Sequence, residues 1–142
     1  MASKPYPGFL SRRNTATFNI STASVRALLV TSAYTYSDAH EFVDDVSANE
    51  VSGGSYARQT LGSVAQSTNT TTDRVIIDAA DPTFSAVPDQ GGSDIGGVIY
   101  YVFGSDDTDS YLISFQDATD VTANGSDISV TIPALGIFYD QY

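Results

Sequence analysis

The chain has no cysteine, no tryptophan and a single histidine among its 142 residues. Without cysteine there is neither a disulfide framework nor a thiolate to carry chemistry or hold a metal. A lone histidine cannot supply the second imidazole that a zinc-protease helix requires. No apolar run reaches the roughly 18 residues of a membrane-spanning helix. The opening MASKPYPGFLSRRNT lacks the apolar core of a secretory signal, so the expectation is a soluble protein not exported by that route. Basic side chains are scarce and end early: lysine and arginine number 6 against 17 acidic residues, a net charge of −11. Residues 1–74 hold six basic and six acidic side chains, whereas residues 75–142 hold eleven aspartates and no lysine or arginine. Such an acidic body repels phosphate backbones, which argues against nucleic acid as a partner.

What is present is enough for one packed domain. Hydrophobic residues make up 42% and aromatics 11%, so a core forms without metals or disulfides. Ala16–Ile20 and Ile128–Ile132 alternate apolar and polar residues with the period of a half-buried strand. Val25–Val30, Val75–Ile77 and Val98–Phe103 are apolar on both faces and read as interior strands. Tyr111–Phe115 follows after the turn-rich GSDDTD, as in a hairpin, and Tyr56–Leu61 and Leu135–Tyr139 are weaker strands. The single expected helix begins at Asp38, whose carboxylate would cap it while Glu41 reaches back. Phe42, Val43 and Val46 would share its inner face. The run Ser67–Thr72 reads as an exposed loop. The fold class that follows is mainly β, an antiparallel sandwich or compact barrel with one short helix. Residues 1–14 form an extended N-terminal arm ahead of a single β domain at residues 15–142.

The chemical motifs fail one by one. His40-Glu41-Phe42-Val43-Asp44 begins like a zinc-protease helix but ends in aspartate. No G-x-S-x-G elbow exists; Gly91–Gly96 carries isoleucine where the closing glycine belongs. Asp106, Asp107 and Asp109 are the best calcium candidates, yet the stretch lacks the EF-hand glycine and glutamate and reads as a solvated turn. Paired aspartates for glycoside cleavage converge only in a fold, and the nine tyrosines suit half-buried β surfaces as well as sugar stacking. The expectation is a protein that is not an enzyme, with no cofactor, no metal and no membrane or nucleic-acid partner.

One long pattern does carry meaning. TSAYTYSDAHEFVDDVSANEVSGGSYARQTL, followed by TTTDRVIIDAADPTFSAV, resembles a family of small virion-associated proteins of tailed bacteriophages. The matching pieces are Leu28–Thr35, His40–Tyr56, Arg58–Leu61 and Thr70–Thr83, then GGVIYYVFGSDDTDSYLISFQD and NGSDISVTIPALGIF. The likeness spans roughly residues 15–138 and departs at Phe84 and in the arm. It implies a head decoration (cement) protein on the capsid exterior that binds the major capsid protein as a homo-oligomer, a trimer being favoured. A tail, neck or head-fibre role is the alternative within the virion, and a carbohydrate-binding module the alternative outside it. Beside the resemblance, Lys4, Pro5, Tyr6, Pro7, Phe9, Leu10, Arg12 and Arg13 combine positive charge, apolar bulk and pre-set backbone angles. They are the expected capsid-binding residues.

Overall fold

A computed structural model describes residues 3–20 and 22–142, so the first two residues of the expected arm lie outside the described residues. In chain order the elements are β1 (Lys4–Pro5), α1 (Pro7–Asn14), β2 (Val25–Thr31), β3 (Gln59–Thr60), β4 (Ala65–Asn69) and β5 (Arg74–Asp78). They continue with β6 (Thr83–Phe84), β7 (Ile95–Val102), β8 (Tyr111–Val121), β9 (Ile128–Ser129) and β10 (Phe138–Gln141). The strands form antiparallel sheets: one of five strands, β1-β8-β7-β2-β3, one of three, β10-β5-β4, and a two-stranded β6-β9 pair. The mainly β, sandwich-like fold, with a single short α-helix among the described residues, is what the sequence predicts.

The central sheet explains the strands that are apolar on both faces. Every residue of β7 is buried, and β2 is buried from Ala27 to Val30. Val25, Ala27, Leu29, Val98, Tyr100, Val102 and Ile113 face one core, which Ile77, Phe84, Ile137 and Phe138 close from the smaller sheets. Leu28, Val30, Ile99, Tyr101 and Leu112 face a second core on the opposite side, closed by Tyr6, Tyr34, Val43 and Val46 from the N-terminal segment and the 32–50 loop. Two covered faces demand continuous hydrophobicity, since neither set of side chains meets water. At the turn after Ile132, Gly136 sits at φ 72°, and a β-carbon there would collide with the Ile77 carbonyl. Glycine is the residue that tolerates both demands.

Several local expectations are corrected. The helix lies in residues 7–14 and not at 38–46. Pro7 at its first turn needs no hydrogen-bond donor, and Arg12 and Arg13 in its last turn suit the negative end of the helix dipole. The arm is therefore extended only at β1, which pairs Lys4 and Pro5 with Phe115 and Ser114 of β8. Ala16–Ile20 is not a strand. Ala16 has φ 58°, and the Thr15 and Thr17 hydroxyls donate to the Arg12 carbonyl at 3.2 and 2.8 Å, closing the helix instead. The expected helix at Asp38 is replaced by 3-10 turns at Val43–Asp45 and Ser47–Asn49. The capping carboxylate is Asp45, which accepts from the Glu41 and Phe42 N–H groups at 2.8 and 2.9 Å. Val43 and Val46 are buried while Phe42 is only half covered, because 3-10 geometry rotates the inner face by one residue. Ser67–Asn69 belongs to β4, and β5 is only partly covered, with Ile77 buried and Val75 and Ile76 half-buried.

Candidate functional site

The N-terminal segment folds back onto the domain. Tyr6 and Phe9 are fully buried, in the second and first core respectively. Phe9 meets Phe18 and Phe138 edge-on, each with ring centroids 5.0 Å apart. The Tyr6 and Tyr34 hydroxyls are 2.7 Å apart, and the Tyr34 hydroxyl lies 3.0 Å from Nδ1 of His40. Burial and this hydroxyl pairing push the Tyr6 phenol far above its ordinary range, so it stays neutral. The histidine that begins the zinc-protease-like pattern is thus the outer end of a hydrogen-bonded chain that holds the segment in place.

The other arm residues divide between ion pairs and the surface. Arg12 pairs with Glu41 at 2.6 Å and Arg13 with Asp140 at 2.7 Å, both partly exposed. The Lys4 ammonium sits 3.8 Å from the centre of the Tyr36 ring, whose hydroxyl donates to the Pro5 carbonyl at 2.7 Å. Leu10 is half-buried against the first core, and Pro5 and Pro7 set the entry to the strand and the helix. Two of the expected contact residues, Tyr6 and Phe9, are therefore engaged within the chain and are not offered to a partner. The sequence signal for this was present: a proline followed by apolar residues two and three positions on is also a helix start.

Residues 32–50 form a strap across the second face of the central sheet. On one side, Leu112 N donates to the Glu41 carbonyl and Val43 N to the Ser110 carbonyl, each at 2.9 Å. On the other, Val51 N donates to the Leu29 carbonyl at 3.0 Å. Arg58 locks the strap. Its guanidinium binds Glu50 at 2.7 and 2.6 Å and Asp107 at 2.5 and 3.0 Å, a double fork with the Tyr101 ring 5.8 Å away. Tyr56 extends the chain, accepting from Leu29 N at 3.0 Å and donating to Glu50 at 3.1 Å. Arg58 holds the Asp107 carboxyl below the usual carboxylate range. Sequence reasoning missed this hub because its members stand 8 and 49 positions from Arg58.

The calcium candidate is occupied from within. Asp109 accepts from Ser105 N at 2.7 Å and Asp106 N at 2.9 Å, while Asp106 accepts from Thr108 N at 2.8 Å. With Asp107 held by Arg58, these carboxylates serve the hairpin turn. Among the described residues no group of three or more histidines or acids is placed to hold a metal ion. Two of the recesses among the described residues bear on a ligand. An apolar pit of about 150 Å³ between β7, β8 and β9 is lined by Leu29, Ile95, Val98 and Ile128 and by no titratable side chain. A shallower cleft of about 260 Å³ is lined by Tyr34, Tyr36, Phe115, Asp117 and Asp120, the constellation a sugar site would use. Its tyrosines are already engaged, however. Tyr36 stacks on Tyr6 at 5.0 Å and carries Lys4 over its ring, and Tyr34 meets Phe115 edge-on at 5.1 Å. No family model, no curated protein and no solved structure matches the chain.

Proposed function

We propose that this chain is a structural protein of a tailed-phage virion, a head decoration protein that binds the outer surface of the major capsid protein. The observation that carries the reading is the use to which the family-like stretch is put. Tyr56 and Arg58, with Glu50 between them, tie the strap to β2 and to the turn before β8, and His40 ties it to the Tyr34–Tyr6 pair; none of the four lines a recess among the described residues. A domain that invests its polar residues in interlocking suits a part that must persist at high copy without turnover. The acidic body keeps many neighbouring copies soluble. Attachment in this reading uses the outer side of the N-terminal segment, through Lys4, Leu10, Arg12 and Arg13, with Tyr6 and Phe9 remaining inside. A tail, neck or fibre position would use the same surfaces on a different partner.

The test is co-sedimentation of the purified chain with undecorated capsids, followed by its location in density of the intact particle. Density on the capsid exterior is the expected result, and density confined to the tail or neck would move the assignment there. Failure to bind any virion part would end the structural reading. A carbohydrate-binding role ranks second on the strength of the Tyr36–Asp120 cleft. A glycan array in which Asp117→Ala and Asp120→Ala abolish a specific signal would promote it.

A further inference from the structure

We infer that the outer edge of β4 is a self-pairing surface that joins two copies of this chain into one continuous sheet. The inference rests on strand geometry and charge and stands apart from the virion reading. An unprotected sheet edge is a template for another strand, and folded proteins blunt such edges with charge, proline, bulges or a covering element. Here β1 covers part of β8, whose further length carries Asp117 and Asp120, and β10 carries Asp140, which is bound by Arg13. The outer strand β3 is only two residues long. β4 has none of these devices. Its five residues, Ala65, Gln66, Ser67, Thr68 and Asn69, are all exposed, and its register with β5 runs without a shift. The charge-free run around it extends from Gln59 to Thr72 in a chain of net charge −11.

The orientation of its peptide groups follows from β5. Ile137 N donates to the Ile77 carbonyl at 2.9 Å, so the peptide groups of Ile77 and Val75 face β10. By alternation those of Asp78, Ile76 and Arg74 face β4, where their partners are Ala65, Ser67 and Asn69. Gln66 and Thr68 therefore turn their N–H and C=O groups outward, unused by any other strand among the described residues. A second copy related by a two-fold axis through Ser67 satisfies them. Gln66 of each copy then opposes Thr68 of the other as a hydrogen-bonded pair, and the two Ser67 side chains face each other. The same register puts Asn69 beside the other copy's Ala65. Arg74 of one copy thereby shares a row with Asp78 of the other, at about 14 Å across three strand spacings. No like charges meet at the seam. Across the aspartate-bearing surface of residues 75–142, two copies would bring carboxylates together.

The experiment is light scattering and sedimentation of the full chain over a wide concentration series, with amide hydrogen exchange read at single residues. A reversible monomer–dimer equilibrium is expected, with exchange at Gln66 and Thr68 slowing as concentration rises while Ser67, already bonded to β5, stays unchanged. Thr68→Pro removes an outward donor, and Ser67→Lys places two like charges face to face across the axis. Each should raise the dimer Kd at least about tenfold, equivalent to about 1.4 kcal/mol, with the monomer's melting temperature kept. A chain that stays monomeric throughout, that assembles as a trimer, or whose dimer survives Ser67→Lys would overturn the proposal. Concentration-dependent protection located on strands other than β4 would overturn it equally.

Discussion

Arg58 shows how much of this molecule rests on single side chains. Its guanidinium is 24% exposed and its partner Glu50 only 13%, so the pair lies between a surface bridge and a buried one. Exposed pairs contribute at most about 1 kcal/mol, whereas breaking a buried one costs about 3–5. Arg58→Ala should therefore cost about 2–3 kcal/mol in urea melts, because it strands the Glu50 carboxylate beneath the strap. Arg58→Lys should recover only part of this, since an ammonium cannot fork to two carboxylates at once. A loss within the scatter of surface mutants would show that the strap is held by its apolar side chains alone. Acid acts on the same groups. Asp45 is held low by the N–H groups of Phe42 and Glu41, and Asp107 by Arg58. Each folded value lies below the unfolded one, so the stabilisation is complete above about pH 4 and is lost as pH falls through the folded values. Stability should be flat on the neutral side and decline below about pH 4, and Asp45→Asn should flatten that decline. An acid slope unaltered in the variant would assign the effect to other carboxylates.

At the scale of elements, the N-terminal segment is part of the domain and not an appendage. Phe9 is fully enclosed, and Phe9→Ala should cost about 3–5 kcal/mol. Deleting residues 1–14 should cost more still, because it also removes Tyr6 from the second core and uncovers the edge of β8. Thermal melts and dye binding check this: the expected product is aggregation-prone, and a truncated domain that melts like the full chain would restore a detachable arm. Reversing Arg12 and Arg13 to glutamate would set acids against Glu41 and Asp140 and should lower the melting temperature before any partner is added. Why the arm misreads in sequence is instructive. Burial of Tyr6 and Phe9 depends on β5, β8 and β10, strands that begin only at Arg74, Tyr111 and Phe138, and no local window contains them. β2 and β7, by contrast, were legible because a strand covered on both faces writes its burial into its own composition. The strap was half legible. Its apolar residues were visible, but the capping carboxylate is Asp45, which reaches back from the end of the 3-10 turn, and not Asp38 ahead of it, and the pairing of Ser110 and Leu112 with the loop holds Glu41 and Val43 out of a helix. β4 left no apolar signal because both its faces meet water; only its pairing with β5 makes it a strand.

The whole molecule is governed by the mismatch between an acidic body and a neutral seam. All six cations are engaged internally: Arg12, Arg13 and Arg58 in ion pairs, Lys4 over Tyr36, Arg26 over Phe103 and Arg74 over Tyr139. The eleven aspartates from residue 75 onward therefore dominate the field that a second copy meets. Two bodies of charge −11 repel at any approach, and the β4 seam contributes hydrogen bonds that salt scarcely affects. At about 10 mM salt the screening length is about 30 Å, while at about 150 mM it is about 8 Å. Self-association through β4 should accordingly strengthen as salt rises, with the gain entering mainly through the association rate, since repulsion acts on the approach. An interface built on contacts between the basic residues of one copy and the aspartates of another would respond in the opposite sense, weakening with salt. Sedimentation at both ionic strengths separates the two: a dimer that dissociates on adding salt would place the contact at the arginines of α1 and not along β4.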